Sequence, residues 1–207
     1  MRGTAIPTAP DIARWRAGNT GVEGVWHFDS AQPGRRVVVT ALLHGNEFSG
    51  ATAIAALLDA GLRPCVGSLT LLLCNLAAFD RFDPASPDAS RFVDEDMNRV
   101  WTAERLAGRD TVECRRAREL LPFLSEADWL LDLHSMHEPG AALLLAGSSA
   151  RHLALARRLG APQHVVVDAG HSDGCRLRDP AQVAADGRPD ALALLLGAGV
   201  PFAPARH

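Results

Sequence analysis

The sequence predicts an α/β fold in which helices flank both faces of a mixed sheet in three layers. Apolar runs of strand length alternate with segments of helical periodicity along most of the chain. Hydrophobic residues make up 47% of the 207 residues, which is enough for a sizeable buried core. Because no internal repeat or low-complexity linker divides the chain, residues 1–207 are interpreted as a single domain.

Strands and helices can be placed from the hydrophobic periodicity and the turn residues between them. The predicted strands are 24–28, 35–43, 68–76, 127–135, 141–147 and 164–170. The predicted helices are 49–61, 110–124 and 149–160, and the run 190–200 is ambiguous between a buried strand and a short helix. The stretch 77–101 is polar and contains two prolines, which predicts an ordered loop with a functional role.

Composition excludes several classes of protein and of partner. The net charge is −3 and no basic stripe stands out, which argues against a nucleic-acid partner. No apolar run is long enough to span a membrane, and the N-terminus lacks a signal-peptide core, so a cytoplasmic protein is expected. Cysteines without a CxxC pair predict reduced thiols rather than disulfides: Cys65, Cys74, Cys114 and Cys175. The oligomeric state is not predicted.

Three candidate metal ligands follow predicted strands. In "TALLHGNEFSGA" (40–51), His44 and Glu47 lie one helical turn apart or across a tight loop, so both can face one ion. His134 closes the apolar run "WLLDLH" at another predicted strand end. Two histidines and one glutamate form a known type of catalytic zinc site, which leaves a fourth position open for water. The sequence therefore indicates a metal centre formed by His44, Glu47 and His134.

Asp132 is a candidate partner for one of these ligands, because it lies on the same face of the strand as His134. A carboxylate that accepts a hydrogen bond from a ligand imidazole is common around metal sites. Each residue also has an explanation that involves no metal. An HxxE pair often arises by chance, and a lone histidine after a strand more often has a structural role than a ligand role. The coincidence of three such residues at predicted strand ends favours the metal centre.

The polar loop contributes a second group of candidates within "RFVDEDMNRVW". Arg91 and Arg99 offer guanidinium groups that suit bidentate capture of a carboxylate, and the Asn98 amide can bind a carboxylate or a carbonyl. Asp94 and Asp96 lie in the same stretch. The alternative is a solvated loop held by salt bridges, which is the usual role of such charge runs.

The motifs "HGNEFSG", "RFVDEDMNRVW" and "DLHS", in this order, resemble the succinylglutamate desuccinylase/aspartoacylase family of zinc carboxypeptidase-like hydrolases. "GHSDGCRLRD" (170–179) is similar to a further family segment, and the resemblance covers about residues 22–197. It implies one Zn²⁺ per chain, held by His44, Glu47 and His134. It also implies that Arg91, Asn98 and Arg99 bind the substrate carboxylate and help to polarise the scissile carbonyl.

The same resemblance implies a zinc-dependent amidohydrolase that cleaves the non-peptide amide bond of small N-acyl amino acids. Such an enzyme uses a glutamate as general base, and the family places it on a late strand. In this chain the matching position is Leu195, and the nearest substitute is Glu138 beside the third ligand. The family also continues into a smaller β-rich domain, whereas this chain ends at His207.

Three explanations for the missing base remain open, namely an inactive zinc-binding relative, a frameshifted or truncated tail, or a substitute carboxylate. The coincidence of the missing base with the early end favours a truncated or frameshifted chain with weak or absent activity. Sequencing beyond codon 207 tests this expectation. The alternatives in function are a carboxypeptidase, a non-catalytic module that binds metal or an acylated amino acid, and an α/β domain without metal.

Overall fold

The structure is a computed structural model that describes residues 8–136, 140–168, 174–179 and 191–198. Its strands are β1 (Val25–Asp29), β2 (Arg36–Ala41), β3 (Ser68–Leu73), β4 (Trp129–Ser135), β5 (Leu143–Ala146), β6 (His164–Val167) and β7 (Leu192–Ala198). Its helices are α1 (Ser49–Asp59), α2 (Leu76–Phe79), α3 (Ala103–Gly108), α4 (Val112–Leu124) and α5 (Ala150–Leu159). Three short 3-10 helices span Ala13–Trp15, Pro87–Ser90 and Met97–Arg99.

The seven strands form one mixed sheet in the order β1-β3-β2-β4-β7-β5-β6. The central strands β3, β2, β4 and β7 are parallel, whereas β1 is antiparallel to β3 and β5 is antiparallel to β7. β2 and β4 are direct neighbours, with Ala41 opposite Leu133. Their carboxyl ends therefore meet at one edge of the sheet, where ligands commonly bind in α/β proteins.

Helices cover both faces of the sheet. On one face, α3 and α4 pack over buried side chains of the central strands, which include Val38 and Leu130. On the other face, α1 and α5 bury Ile54 and Ala156. The side chains of Thr111 and Ser149 accept hydrogen bonds from backbone N–H groups in the first turns of α4 and α5, which satisfies donors that a helix start leaves free.

The predicted three-layer mixed sheet is confirmed. The ambiguous run 190–200 contains a strand, β7, because it lies between β4 and β5 and is buried along most of its length. The polar stretch 77–101 is mostly irregular, as predicted, but it contains the end of α2 and two 3-10 helices. α3 was missed, since six residues provide too little periodicity.

The structure bears on the predicted reduced thiols and on the expectation that no segment spans a membrane. Cys65, Cys74 and Cys114 are free thiols, and of these Cys74 and Cys114 are buried. Burial raises the pKa of the Cys74 thiol to about 12, so this thiol stays protonated at neutral pH. Among the described residues, no helix has both the length and the apolar character that a membrane crossing requires.

Candidate metal centre

The neighbouring ends of β2 and β4 bring His44, Glu47 and His134 together. His134 is the penultimate residue of β4, and His44 follows three residues after the end of β2. All three side chains are buried, and one potential ligand atom from each lies within 4.8 Å of the others. These were the three ligands predicted from sequence, although they are separated by up to 90 residues along the chain.

A tight turn between β2 and α1 places His44 and Glu47. The backbone N–H of Glu47 donates to the carbonyl of His44, so the two side chains lie on one side of a single turn. Leu42 has a φ of 59°, a left-handed conformation that is uncommon for a residue with a branched side chain. Gly45 is surrounded by backbone: a Cβ there would lie 2.3 Å from the carbonyl carbon of Ala78 and 2.4 Å from the carbonyl oxygen of Ser90.

The donor atoms suit a divalent metal. Nδ1 of His44 lies 2.8 Å from Oε1 of Glu47, and Nδ1 of His134 lies 3.0 Å from Oε2 of the same carboxylate. Within the described part of the chain, Nδ1 of His44 is buried and forms no hydrogen bond, because its close contact with Glu47 does not have hydrogen-bond geometry. A buried nitrogen of this kind is expected to have a partner, and a metal ion supplies one. Imidazole nitrogen and carboxylate oxygen are ligands that zinc accepts.

Each histidine is held from its other ring nitrogen by a carboxylate. Nε2 of His134 lies 2.8 Å from Oδ2 of Asp132, whose Oδ1 accepts a hydrogen bond from the Thr40 hydroxyl. Nε2 of His44 lies 2.9 Å from Oδ1 of Asp96. Such contacts fix the ring orientation and direct Nδ1 of each histidine toward Glu47. Asp132 was predicted in this position, whereas Asp96 was not singled out, although it lies two residues before Asn98.

The charges of the site shift several pKa values. Burial alone would raise the pKa of Glu47, but the imidazoles of His134 and His44 outweigh it and hold that pKa well below its usual range. Burial lowers the pKa of His134, but the carboxylates of Asp132 and Glu47 outweigh this effect and raise it to about 10. Asp96 stays ionised because His44 and Arg99 overcome the effect of its burial and lower its pKa. The site therefore stabilises positive charge between its carboxylates.

The three predicted substrate-binding residues have different positions. Arg91 lies beside the metal centre: its Nη1 donates to Oε1 of Glu47 at 2.8 Å, and its Nη2 lies 3.0 Å from Nε2 of His44. Asn98 is buried, and its amide oxygen accepts a hydrogen bond from the backbone N–H of Leu177. Arg99 donates to the carbonyl oxygen of Asn98. Only Arg91 directly contacts the proposed ligands in these hydrogen bonds.

The position of the expected general base is occupied by Leu195, which is buried in β7. Leu195 is opposite Asp132 in the parallel pair of β4 and β7, so both side chains point to the same face of the sheet. His134 points to this face too, two residues further along β4. Glu138, the proposed substitute, lies outside the described residues.

Comparison with a protein-family model shows to which family the chain belongs. Residues 33–189 match the succinylglutamate desuccinylase/aspartoacylase catalytic domain. The chain belongs to the succinylglutamate desuccinylase/aspartoacylase family. The match includes the turn with His44, the polar loop and the end of β4, so the family resemblance noted from the three sequence motifs is confirmed.

Three relatives illustrate the similarity. A human N-acyl-aromatic-L-amino acid amidohydrolase (carboxylate-forming) is 35% identical over 130 residues, which cover 57% of this chain and 39% of the relative. The succinylglutamate desuccinylase of Chromobacterium violaceum superposes with a TM-score of 0.63 and 18% identity, covering 88% of this chain and 62% of that structure. The product-bound ectoine utilization protein EutE (DoeB) of Ruegeria pomeroyi superposes with a TM-score of 0.64 and 19% identity. The match covers 97% of this chain and 59% of that structure.

The solved structures at these low identities confirm the predicted α/β fold. This chain spans 39% of the human amidohydrolase and about three fifths of the two bacterial structures. Activity and substrate therefore need an argument from the residues themselves.

We expect Asp132→Asn to weaken metal binding about 10- to 100-fold, because an amide holds the His134 ring less firmly than a carboxylate does. Competition with a zinc chelator measures the change. Asp29→Asn is the matched control, since Asp29 is exposed at the end of β1 and contacts only His27 among the ion pairs of the described residues. Equal zinc affinity of the wild type and Asp132→Asn would contradict the orienting role of Asp132.

Proposed function

We propose that the chain is a zinc-dependent amidohydrolase that cleaves the amide bond of N-acyl amino acids, with weak turnover. The observation that carries the proposal is the convergence of His44, Glu47 and His134, with both imidazoles turned toward the same carboxylate. We propose one Zn²⁺ per chain at this position. Membership of a family with a human N-acyl-aromatic-L-amino acid amidohydrolase supports this reaction class.

His44 and His134 would hold the ion through Nδ1, and Glu47 would hold it through its carboxylate. A zinc ion in such a site lowers the pKa of bound water and polarises the substrate carbonyl. Asp132 and Asp96 keep the two imidazoles in position through Nε2. The site is buried, which limits the access of bulk water and strengthens the local electrostatic interactions.

Arg91 is the residue proposed to bind the substrate carboxylate. Its guanidinium already donates to a carboxylate, that of Glu47, and it lies at the edge of the metal centre. A guanidinium provides two parallel donors that match a carboxylate, and this fixes the orientation of the substrate. Arg99 and Asn98 are proposed to support the same interaction from the polar loop, while the amide oxygen of Asn98 holds Leu177.

Leu195 supports a second candidate function, a non-catalytic module that binds metal or an acylated amino acid. A leucine side chain cannot accept a proton from water, and the loss of a positioned base costs about 10² to 10⁴ in rate. The sheet that runs from β1 to β7 is continuous, so we treat residues 1–207 as one zinc hydrolase-like unit in both proposals. We also propose a cytoplasmic protein without a nucleic-acid or membrane partner.

Zinc binding and turnover of the wild type and of Glu47→Ala test the proposal. The wild type should bind about one equivalent of Zn²⁺, since a three-ligand site should bind tightly. Glu47→Ala should bind less than about 0.1 equivalent, because it removes one of the three ligands. Turnover is measured with N-acetylaspartate, N-succinylglutamate and an N-acetylated aromatic amino acid, with and without chelator. Glu104→Gln is the control, because Glu104 is an exposed residue of α3.

The outcomes separate the candidates. Turnover that depends on zinc and disappears in Glu47→Ala supports the amidohydrolase. Stoichiometric zinc without turnover supports the non-catalytic module. Turnover that persists in chelator contradicts zinc dependence. A wild type without bound zinc contradicts the amidohydrolase and a metal-binding module, and it leaves a module that binds an acylated amino acid.

A further inference from the structure

Glu113 on α4 is a completely buried carboxylate that receives four N–H donors. Its side chain is 0% exposed. Oε1 accepts hydrogen bonds from the backbone N–H of Val93 at 2.6 Å and from the side-chain amide of Asn75 at 3.1 Å. Oε2 accepts from the N–H groups of Asp94 at 3.0 Å and Glu95 at 3.2 Å. Three successive backbone amides of the polar loop thus converge on one side chain.

This convergence determines the shape of the loop. Residues 93–95 are not part of a helix or strand, so their backbone amides lack the partners that regular structure would supply. Hydrogen bonds to an ionised carboxylate are roughly twice as strong as those between neutral groups. Glu113 therefore selects one loop conformation, the one in which the three amides point to the same side.

The loop in turn binds the start of α4. Oδ2 of Asp94 accepts a hydrogen bond from the backbone N–H of Val112 at 2.7 Å, and Oε1 of Glu95 accepts from the Thr111 hydroxyl at 2.7 Å. Glu95 also pairs with Arg105 of α3 at 3.2 Å. Two sets of hydrogen bonds thus connect the loop with α4. The Glu113 carboxylate accepts from loop amides, and the carboxylates of Asp94 and Glu95 accept from groups at the start of α4.

The loop leads directly into the metal centre. Asp96 follows Glu95, and its Oδ1 lies 2.9 Å from Nε2 of His44. At the other end of the loop, the carbonyl of Arg91 accepts a hydrogen bond from the N–H of Gly45, next to His44. A displacement of the loop would therefore move the carboxylate that orients His44.

We propose that Glu113 is a positioning residue of the metal centre: its carboxylate fixes residues 93–95 so that Asp96 holds His44 in its metal-binding orientation. The proposal rests on the proposed zinc site, and it concerns a residue whose hydrogen bonds, within the described part of the chain, involve none of the three metal ligands. The alternative is that Glu113 only stabilises the fold. The two differ in one measurable respect, because a purely structural residue affects stability without a specific coupling to Asp96.

A double-mutant cycle in zinc affinity distinguishes them. Glu113→Gln keeps the size of the side chain but directs an amide group at backbone N–H donors. We expect it to lower zinc affinity about 10-fold in the otherwise wild-type chain, the lower end of the effect of losing a residue that supports a metal ligand. In the Asp96→Asn background, Glu113→Gln should lower zinc affinity less than about twofold, because the contact between residue 96 and His44 is already weakened.

Glu119→Gln is the matched control, since Glu119 lies on the same helix and its exposed carboxylate pairs with Arg116. It should leave zinc affinity unchanged. Hydrogen exchange in the metal-free protein should be faster for the amides of residues 93–95 in Glu113→Gln and unchanged in Glu119→Gln. If Glu113→Gln does not fold, Glu113→Asp keeps the charge on a shorter side chain and should give smaller shifts in the same direction.

The proposal would be overturned if Glu113→Gln exchanged its loop amides faster but bound zinc as tightly as the wild type. It would also be overturned if the losses of zinc affinity in Glu113→Gln and Asp96→Asn were additive in the double variant. If the wild type binds no zinc, the proposed function fails while the positioning role can still be measured. In that case the NMR signals of the His44 imidazole in Glu113→Gln should shift toward those of Asp96→Asn. Signals identical to those of the wild type would then overturn the proposal.

Discussion

Replacement of Leu195 by glutamate is expected to raise turnover of the best N-acyl amino acid substrate about 10²- to 10⁴-fold, the usual contribution of a positioned general base. Family resemblance places the base at this position, and the strand register places the side chain on the face that carries Asp132 and His134. A carboxylate there would be buried and close to the negative charge of Asp132. Both effects raise its pKa, which improves a base for work near neutral pH.

The substitution has a cost in stability, because Leu195 is only 5% exposed and a charged group is poorly solvated there. Zinc content and thermal unfolding should therefore be measured together with turnover. Leu195→Gln is the control, since it introduces a polar side chain of the same size that cannot take a proton. Equal turnover of the two zinc-loaded variants would show that position 195 does not provide the base.

Gly45→Ala is expected to lower the free energy of unfolding by about 3 kcal/mol and to abolish zinc binding. A Cβ at this position meets backbone atoms of Ala78, Phe79 and Ser90 at 2.3 to 2.5 Å, far inside contact distance. Backbone cannot rotate away as a flexible side chain can. The turn that carries His44 and Glu47 must then move relative to the polar loop, and the two ligands move with it.

Chemical denaturation and zinc titration measure the two effects of Gly45→Ala. Gly108→Ala is a suitable control, because a Cβ at Gly108 meets no atom within 4 Å and its φ is not left-handed. Alanine at the end of α3 should change stability by less than about 1 kcal/mol. A Gly45→Ala variant that binds zinc as the wild type does would show that the turn can adapt, and that the glycine is not required by the site.

The sheet and the metal ligands could largely be predicted from the sequence. Apolar runs located six of the seven described strands to within a few residues, because the burial of a strand leaves a continuous hydrophobic signal, whereas the run that contains β7 was ambiguous between strand and helix. His44, Glu47 and His134 were identifiable because their side chains have the chemistry of metal ligands and follow such runs. A short helix around residues 12–16 was predicted, and a 3-10 helix lies at Ala13–Trp15. α3 and the other two 3-10 helices were not identified, since elements of three to six residues have little periodicity.

Other features depend on contacts between distant parts of the chain. The sequence indicated Asp132 because alternation along one strand places it on the same face as His134. It did not distinguish Asp96 from Asp94 in the polar loop, although the first contacts His44 and the second contacts the start of α4. Glu113 looked like an ordinary residue of an amphipathic helix. Its role depends on the path of a loop whose amides it binds, and local sequence does not reveal that path.

The sequence by itself determined which chemical groups are available and which strand ends carry them, because hydrophobic periodicity and side-chain chemistry are local properties. It also showed that leucine stands where a base is expected. Only the tertiary structure decided that Nδ1 of both histidines turns toward Glu47, with a carboxylate behind each ring. That arrangement arises from the parallel pairing of β2 with β4 and from the packing of the polar loop on α4, both of which join residues far apart in the chain.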